Sequence, residues 1–184
     1  MVVGAGGRTG EGSAVEVYPE EMVDIVGPEG NILYKVTKGE AHAKGLLHKT
    51  VIGEVIDGSG NVVLIMPASH KQDYGKYVSA VGGHVRSGES ELDALRREAS
   101  EEIGTGFTDH KLIGRFVFNR FVLNRHENHL FCVYKISCSG DMHLGNEAES
   151  FRRFSRNELG SLISGDRGMF GDSYLAIVDK LHVA

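Results

Sequence analysis

Glu98, Glu101 and Glu102 fall within five consecutive residues of a 184-residue chain, in the stretch "LRREASEEIGT". Like charges at helical spacing repel by roughly 0.2–0.5 kcal/mol per pair. The cluster is therefore either a solvated acidic face or a set of groups gathered round something positive. Three converging carboxylates offer hard oxygen donors, which suit Mg²⁺ or Mn²⁺ rather than zinc. A cation held there could neutralise the oxygens of a polyanionic substrate and activate water. Arg97, four residues before Glu101, is spaced to pair with it and fix its direction.

The segment from Glu89 to Ile103 contains neither Pro nor Gly and is rich in Glu, Leu, Ala and Arg, which predicts a helix. Leu92, Leu95, Ala99 and Ile103 recur at spacings of three and four and form its buried stripe, and Gly104 ends it. At about 100° per residue, Glu98 and Glu102 then lie one above the other, with Glu101 alongside. Upstream, "MVDIV", the turn-forming "GPEGN" and "ILYKVT" read as a hairpin. "TVIGEVID" and "NVVLIMP" read as a second strand pair, and "KYVSAVGGHV" as a strand and loop leading into the helix. Downstream, "KLIGRFVFNRFVL" and "HLFCVYKIS" have the β-branched and aromatic content of strands. Ser155 with Glu158 forms a capping-box signature for a short helix, and "DSYLAIVDKLHV" closes as an amphipathic one.

No repeat or linker divides this pattern, so residues 21–184 read as a single mixed α/β domain behind a flexible tail, residues 1–20. The tail's "GAGGRTGEGS" resembles a phosphate loop but lacks the Gly-Lys-Ser/Thr ending and a preceding strand. With 41% hydrophobic and 24% charged residues, the composition is that of an ordinary soluble domain. A net charge of −5 argues against long nucleic acid as a partner. Two cysteines, Cys132 and Cys138, give no disulfide framework and point to a reducing, cytoplasmic setting. No stretch approaches the roughly 18 apolar residues of a membrane span, and the N-terminus makes a poor signal peptide.

The acidic helix and the loop before it resemble a known signature. Gly83, Glu89, Arg97, Glu98, Glu101, Glu102 and Gly104 stand at the spacings of all seven polar and glycine positions of the Nudix box. The final apolar position is Thr105, a mild departure. The resemblance implies a Nudix fold, an α/β/α sandwich with a mixed central sheet and, here, an N-terminal β-hairpin. It also implies Mg²⁺-dependent (or Mn²⁺-dependent) hydrolysis of a small-molecule diphosphate. On this reading Glu98 and Glu102 hold the metal, with Glu101 and the Gly83 carbonyl assisting; Glu101 and Arg97 belong to the catalytic set, Arg97 orienting rather than reacting. Glu89 braces the loop. Many Nudix hydrolases carry a further glutamate in a loop before a later strand, as general base or extra ligand. In "GNEAESFRRF" Glu147 fits that position first and Glu149 second, against the alternative of a solvated loop.

The region before the box resembles the isopentenyl-diphosphate isomerase-like branch. In true isomerases, histidines of the corresponding segment and later glutamates bind a metal, and this chain offers His42, His48, His84 and Glu127 at similar places. His129 stands where a second glutamate is expected. The isomerase's catalytic cysteine, two residues before the loop histidine, is replaced by Gly82, which can neither give nor take a proton. The resulting expectation is a pyrophosphohydrolase acting on a nucleoside diphosphate derivative or related organic diphosphate, with a homodimer admitted. An isopentenyl-diphosphate isomerase-like enzyme and a non-catalytic Nudix-fold binding module stand as alternatives. Tyr77, Phe118 and Phe121 are candidates for stacking on a base, with the core as the better expectation for each.

Overall fold

β3 (His48–Ile56) is buried along almost its whole length, and the architecture is arranged around it. The computed structural model describes residues 20–138 and 140–183, so the expected N-terminal tail lies almost wholly outside the described residues. β3 pairs in parallel with β8 (Arg125–Ser137) and antiparallel with β6 (Val81–His84) and β4 (Val62–Pro67). A strand covered on both faces needs a nearly continuous apolar run, and "TVIGEVI" supplies one. Its alternation still sorts the faces. Val51 and Val55 pack beneath α2 (Glu91–Ile103) with Ala94, Leu95, Ala99 and Ile103. Ile56, on the other face, meets Leu159 of α3 (Arg156–Gly165) and Tyr174 of α4 (Asp172–Leu181). Ile52 meets Ile177 of α4. The result is the α/β/α sandwich with a mixed central sheet that the resemblance implied, the sheet having nine strands among the described residues.

The expected hairpin is β1 (Met22–Val26) with β2 (Ile32–Thr37), turning through Gly30 at φ +85°. It leads into a helix that sequence periodicity did not announce, α1 (Lys38–Lys44), capped at its start by the Thr37 hydroxyl and at its end by left-handed Gly45. The short β5 (Val78–Ser79), the long β7 (Asp109–Val122) and β9 (Ala148–Phe154) complete the sheet. α2 starts two residues later than the composition suggested. Ser90 accepts from the Asp93 N–H and caps the helix, which leaves Glu89 outside it and free for other partners. Ser155 caps α3 by accepting from the Glu158 N–H. Among the described residues no helix is long and apolar enough to cross a membrane.

Glu54 is the exception in β3, a carboxyl 5% exposed whose Oε1 accepts from Ser79 Oγ at 2.6 Å. Burial pushes its pKa up to about 7, against a partial opposing effect of the Ser79 hydrogen bond. The folded protein thus keeps a proton that the unfolded chain has released above its ordinary value, so stability falls as pH rises through the window from about 4.5 to 7. Glu54→Gln is expected to flatten that slope and to stabilise the protein at pH 8 by roughly 2–3 kcal/mol relative to wild type. Urea unfolding at pH 5 and pH 8 measures it. An unchanged difference between the two pH values would show that Glu54 ionises freely in the fold.

Candidate active site

The acidic face of α2 lies against β6, and that contact builds the site. Gly82 N–H donates to Glu102 Oε2 at 2.7 Å, fixing one carboxylate on the strand backbone. At Gly83 the approach is closer still. A Cβ there would stand 2.0 Å from the Glu98 carboxyl carbon, so only glycine leaves room for that side chain. The next residue, His84, accepts from Arg97 Nη2 through its carbonyl at 2.9 Å. Arg97 also donates to both Glu89 oxygens at 2.9 Å and, through Nη1, to Glu98. Its distance to Glu101 is longer, 3.7 Å. The expected Arg97–Glu101 pairing is therefore the weakest of its contacts, and Glu98 is the carboxylate that Arg97 orients. Glu89 bonds the Arg86 N–H at 3.0 Å as well, which is the loop-bracing role expected of it.

The charges are out of balance. Burial pushes the Glu102 carboxyl up to about 8, with Glu98 and Glu147 adding to the shift against the Gly82 hydrogen bond. Glu98 is raised by burial too, although Arg97 works against it. Glu101 is more exposed and sits at the rim. Buried carboxylates in excess of their cations are stabilised by a bound cation, and a set of carboxylate oxygens is the donor chemistry of Mg²⁺ or Mn²⁺. Glu98 and Glu102, with Glu101 beside them, fit such an ion.

Glu147 reaches the same cleft from the segment before β9. Gly145 N–H donates to the Glu102 carbonyl at 2.9 Å and His143 N–H to the Ile103 carbonyl at 2.9 Å, so this segment satisfies the open C-terminal carbonyls of α2. Glu147 then pairs with Lys71 at 2.5 Å across the cleft. Glu149 is exposed on β9 and does not line the cleft. The cleft has a volume of about 720 Å³, with the carboxylates on one wall and Ile65, Phe118, Phe131 and Ile177 among its apolar lining.

On the opposite side, His42 of α1, His48 of β3, His84 of β6 and His129 of β8 bring one ring nitrogen each to within 4.8 Å of one another. The sequence left open whether His42, His48 and His84 meet Glu127; the three histidines meet each other and His129, while the Glu127 carboxylate is held by Arg120 Nε at 2.7 Å, Gln72 Nε2 at 3.0 Å and Arg125 Nη2 at 3.1 Å. Arg120 also pairs with Asp73 at 3.1 Å, so Glu127 anchors the loop before β5. Burial holds His48, His84 and His129 well below the ordinary imidazole pKa, so these rings are neutral. Of the candidate stacking rings, Tyr77 packs on the core against Phe154, and Phe118 stacks on Phe131. Phe121 is not a core residue: it is 61% exposed. Both cysteines are buried and free.

The NUDIX domain model matches residues 46–171. An uncharacterized Nudix hydrolase of Yersinia pestis is 35% identical over 103 residues, covering 53% of this chain and 54% of that protein. An isopentenyl-diphosphate Δ-isomerase of Mycolicibacterium vanbaalenii is 30% identical over 95 residues, covering 50% of this chain and 52% of that one. The chain thus spans about half the length of the curated relatives it matches. The crystal structure of DR0079 from Deinococcus radiodurans superposes with a TM-score of 0.66 at 18% identity, over 86% of this chain and 98% of that one, which is a likeness of fold.

Gly83→Ala is expected to displace the Glu98 carboxylate without disturbing the fold, because the atoms that must move are the end of a flexible side chain. Calorimetric Mg²⁺ or Mn²⁺ affinity should fall by about tenfold or more, with an unchanged circular dichroism spectrum. Wild-type affinity in the alanine variant would mean that Glu98 is not where the cation sits.

Proposed function

The chain belongs to the Nudix family, and on that premise we propose that it is a Mg²⁺- or Mn²⁺-dependent pyrophosphohydrolase acting on a small organic diphosphate, a nucleoside diphosphate derivative or a related compound. One observation carries the reading: Glu98 and Glu102, from adjacent turns of α2, are held buried against the glycines of β6 on the wall of an open cleft. A divalent ion bound there neutralises diphosphate oxygens and lowers the pKa of water.

The chain's own residues account for the remaining requirements. Arg97, fixed by Glu89 and the His84 carbonyl, holds Glu98 in a single orientation. Gly82 N–H holds Glu102. Glu147 faces the cleft and is the general base of this proposal, taking a proton from the attacking water; Glu101 at the rim is the alternative base and an additional ligand. Lys71, beside Glu147, supplies a positive charge where the substrate's phosphates must pass. The apolar lining receives the organic part of the substrate, whose identity the shared diphosphate chemistry does not select.

The isomerase alternative is weakened at Gly82. Glycine has no side chain to give or take a proton, and the position offers only its N–H, which donates to Glu102. Cys132 cannot substitute for it, being buried in the core with α2. A binding module without activity has no need of the full glutamate set retained here.

Glu98→Gln and Glu102→Gln should each lower kcat by about a thousandfold, since several kcal/mol of charge stabilisation depends on these ligands. Both should keep a wild-type circular dichroism spectrum, and Glu102→Gln a wild-type Tm at neutral pH, because burial already holds that carboxyl protonated below about pH 8. Phosphate or nucleotide release from a panel of nucleotide sugars, dinucleotide polyphosphates, oxidised nucleotides and isoprenoid diphosphates, with Mg²⁺ and with chelator, is the assay. Undiminished turnover in both variants, or dimethylallyl diphosphate as the product, would overturn the proposal.

A further inference from the structure

From the sheet junction beside the cleft, and on the premise of a diphosphate substrate, we infer that Ser79, held by the buried Glu54, is a specificity-determining subsite for a hydroxyl of the substrate's organic part. The diphosphates it favours carry a sugar or nucleoside rather than a bare hydrocarbon chain.

The pair is assembled by the sheet. His48, Thr50, Ile52, Glu54 and Ile56 alternate along one face of β3. Thr50 and Ile52 line the cleft, whereas Ile56 lies in the core with α3 and α4. Glu54 stands where that row passes from cleft to core. It also stands where β3 changes neighbours, since Thr50–Gly53 pair with β6 and Val55 and Ile56 with β4. Ser79 of β5, opposite Leu64 of β4, reaches into the junction and donates to Glu54 Oε1 at 2.6 Å. Ser79 lines the cleft as well, together with Ile52 and, from α4, Ser173 and Ile177. Gly82, whose N–H holds Glu102, lies three residues further along the chain, so the two positions are at most about 11 Å apart. A group attached to phosphates bound at the carboxylates can span that distance.

The chemistry of the pair is out of keeping with packing alone. Burial and the Ser79 hydrogen bond are what act on the Glu54 carboxyl, with no cation to compensate it among the described residues. A carboxyl taken out of water with one hydroxyl for a partner lowers stability, which is why Glu54→Gln is expected to be the more stable protein above neutral pH. What Glu54 does achieve is control of Ser79. It takes the one hydrogen of that hydroxyl, which fixes the rotor and leaves the oxygen's lone pairs for a partner from the cleft. A fixed acceptor among apolar residues such as Ile52, Val78 and Ile177 is how ligand sites set orientation. A substrate hydroxyl donates to it. A hydrocarbon cannot, and by displacing water it leaves Ser79 unpaired, which is the stronger source of discrimination. Ser173, near the start of α4, adds a second hydroxyl to the same lining, as a polyhydroxylated group requires.

The test reads binding and turnover separately on the full chain. Calorimetry with Ca²⁺ in place of Mg²⁺ gives affinities for UDP-glucose, GDP-mannose and ADP-ribose, and for isopentenyl and geranyl diphosphates. Phosphate or nucleotide release with Mg²⁺ gives turnover. The best-bound hydroxylated compound should bind at least about tenfold more tightly than the best-bound hydrocarbon one. Ser79→Ala should lower that ratio by about tenfold, and so should Glu54→Leu. Glu54→Gln keeps an acceptor for the Ser79 hydroxyl and should retain the ratio, whereas a merely structural Glu54 would move Tm and leave the ratio alone. Equal or tighter binding of the hydrocarbon diphosphates by the wild-type protein, or an unchanged ratio in Ser79→Ala, would overturn the inference. Selective binding without turnover would support the subsite and overturn hydrolysis instead. The wild-type comparison decides the matter even if the variants fold poorly.

Discussion

The structure depends on how closely one helix can approach one short strand. α2 carries more negative charge on one face than its own arginine can offset, and it presses that face against the four residues of β6. The approach is tolerable because Gly82 and Gly83 present backbone rather than side chain: an N–H for Glu102 and empty space for Glu98. Arg97 completes the contact by bridging Glu89, Glu98 and the His84 carbonyl, which makes helix, loop and strand a single rigid unit. The core supports it from below, through Ala94, Leu95, Ala99 and Ile103 against β3 and β8. Small residues in that stripe allow the helix to sit low enough for its carboxylates to reach the strand.

The electrostatics follow from this geometry. Removing carboxylates from water raises the free energy of their charged form, and Glu98 and Glu102 both show it. The protein relieves only part of the strain, through Arg97 and the Gly82 N–H, and under the proposed function a divalent ion would relieve the remainder. The imidazole cluster shows the same logic with neutral groups: lone pairs are assembled in a dry place and left without partners. In both cases the fold, stabilised by its apolar layers, bears a local cost.

How much of this could be read from the chain depended on the range of the interaction. Glu98, Glu102 and Arg97 are neighbours on one helix, so spacing alone brought them together, and the Ser155 cap of α3 was legible for the same reason. Glu89 was legible as a brace but not as the main partner of Arg97, since an eight-residue separation spans the helix start. His129 was harder, because it joins His48 only through the register of two strands far apart in sequence. Glu127 shares that strand, yet Arg120 on the neighbouring β7 claims it, a competition that a linear reading cannot see. α1 escaped notice because seven residues with a glycine, Gly39, in the first turn carry little helical pattern, and Thr37 gives its cap from the end of a strand. Phe121 was expected in the core on residue type, but it lies at the outer end of the β7–β8 hairpin.

The parallel pairing of β3 with β8 has a consequence for the order of assembly. His48 meets a partner 81 residues further along the chain, and every residue of β3 waits for a counterpart from the same distant strand. Contacts that close such large loops form late and slowly. During synthesis the acidic helix can coil as soon as it leaves the ribosome, while the sheet beneath it stays incomplete until β8 has followed. Newly made chains therefore pass through an interval in which apolar β3 lacks its neighbour, and mutations that weaken that pairing should show first as poor yield of folded protein in cells, before any defect in the purified molecule.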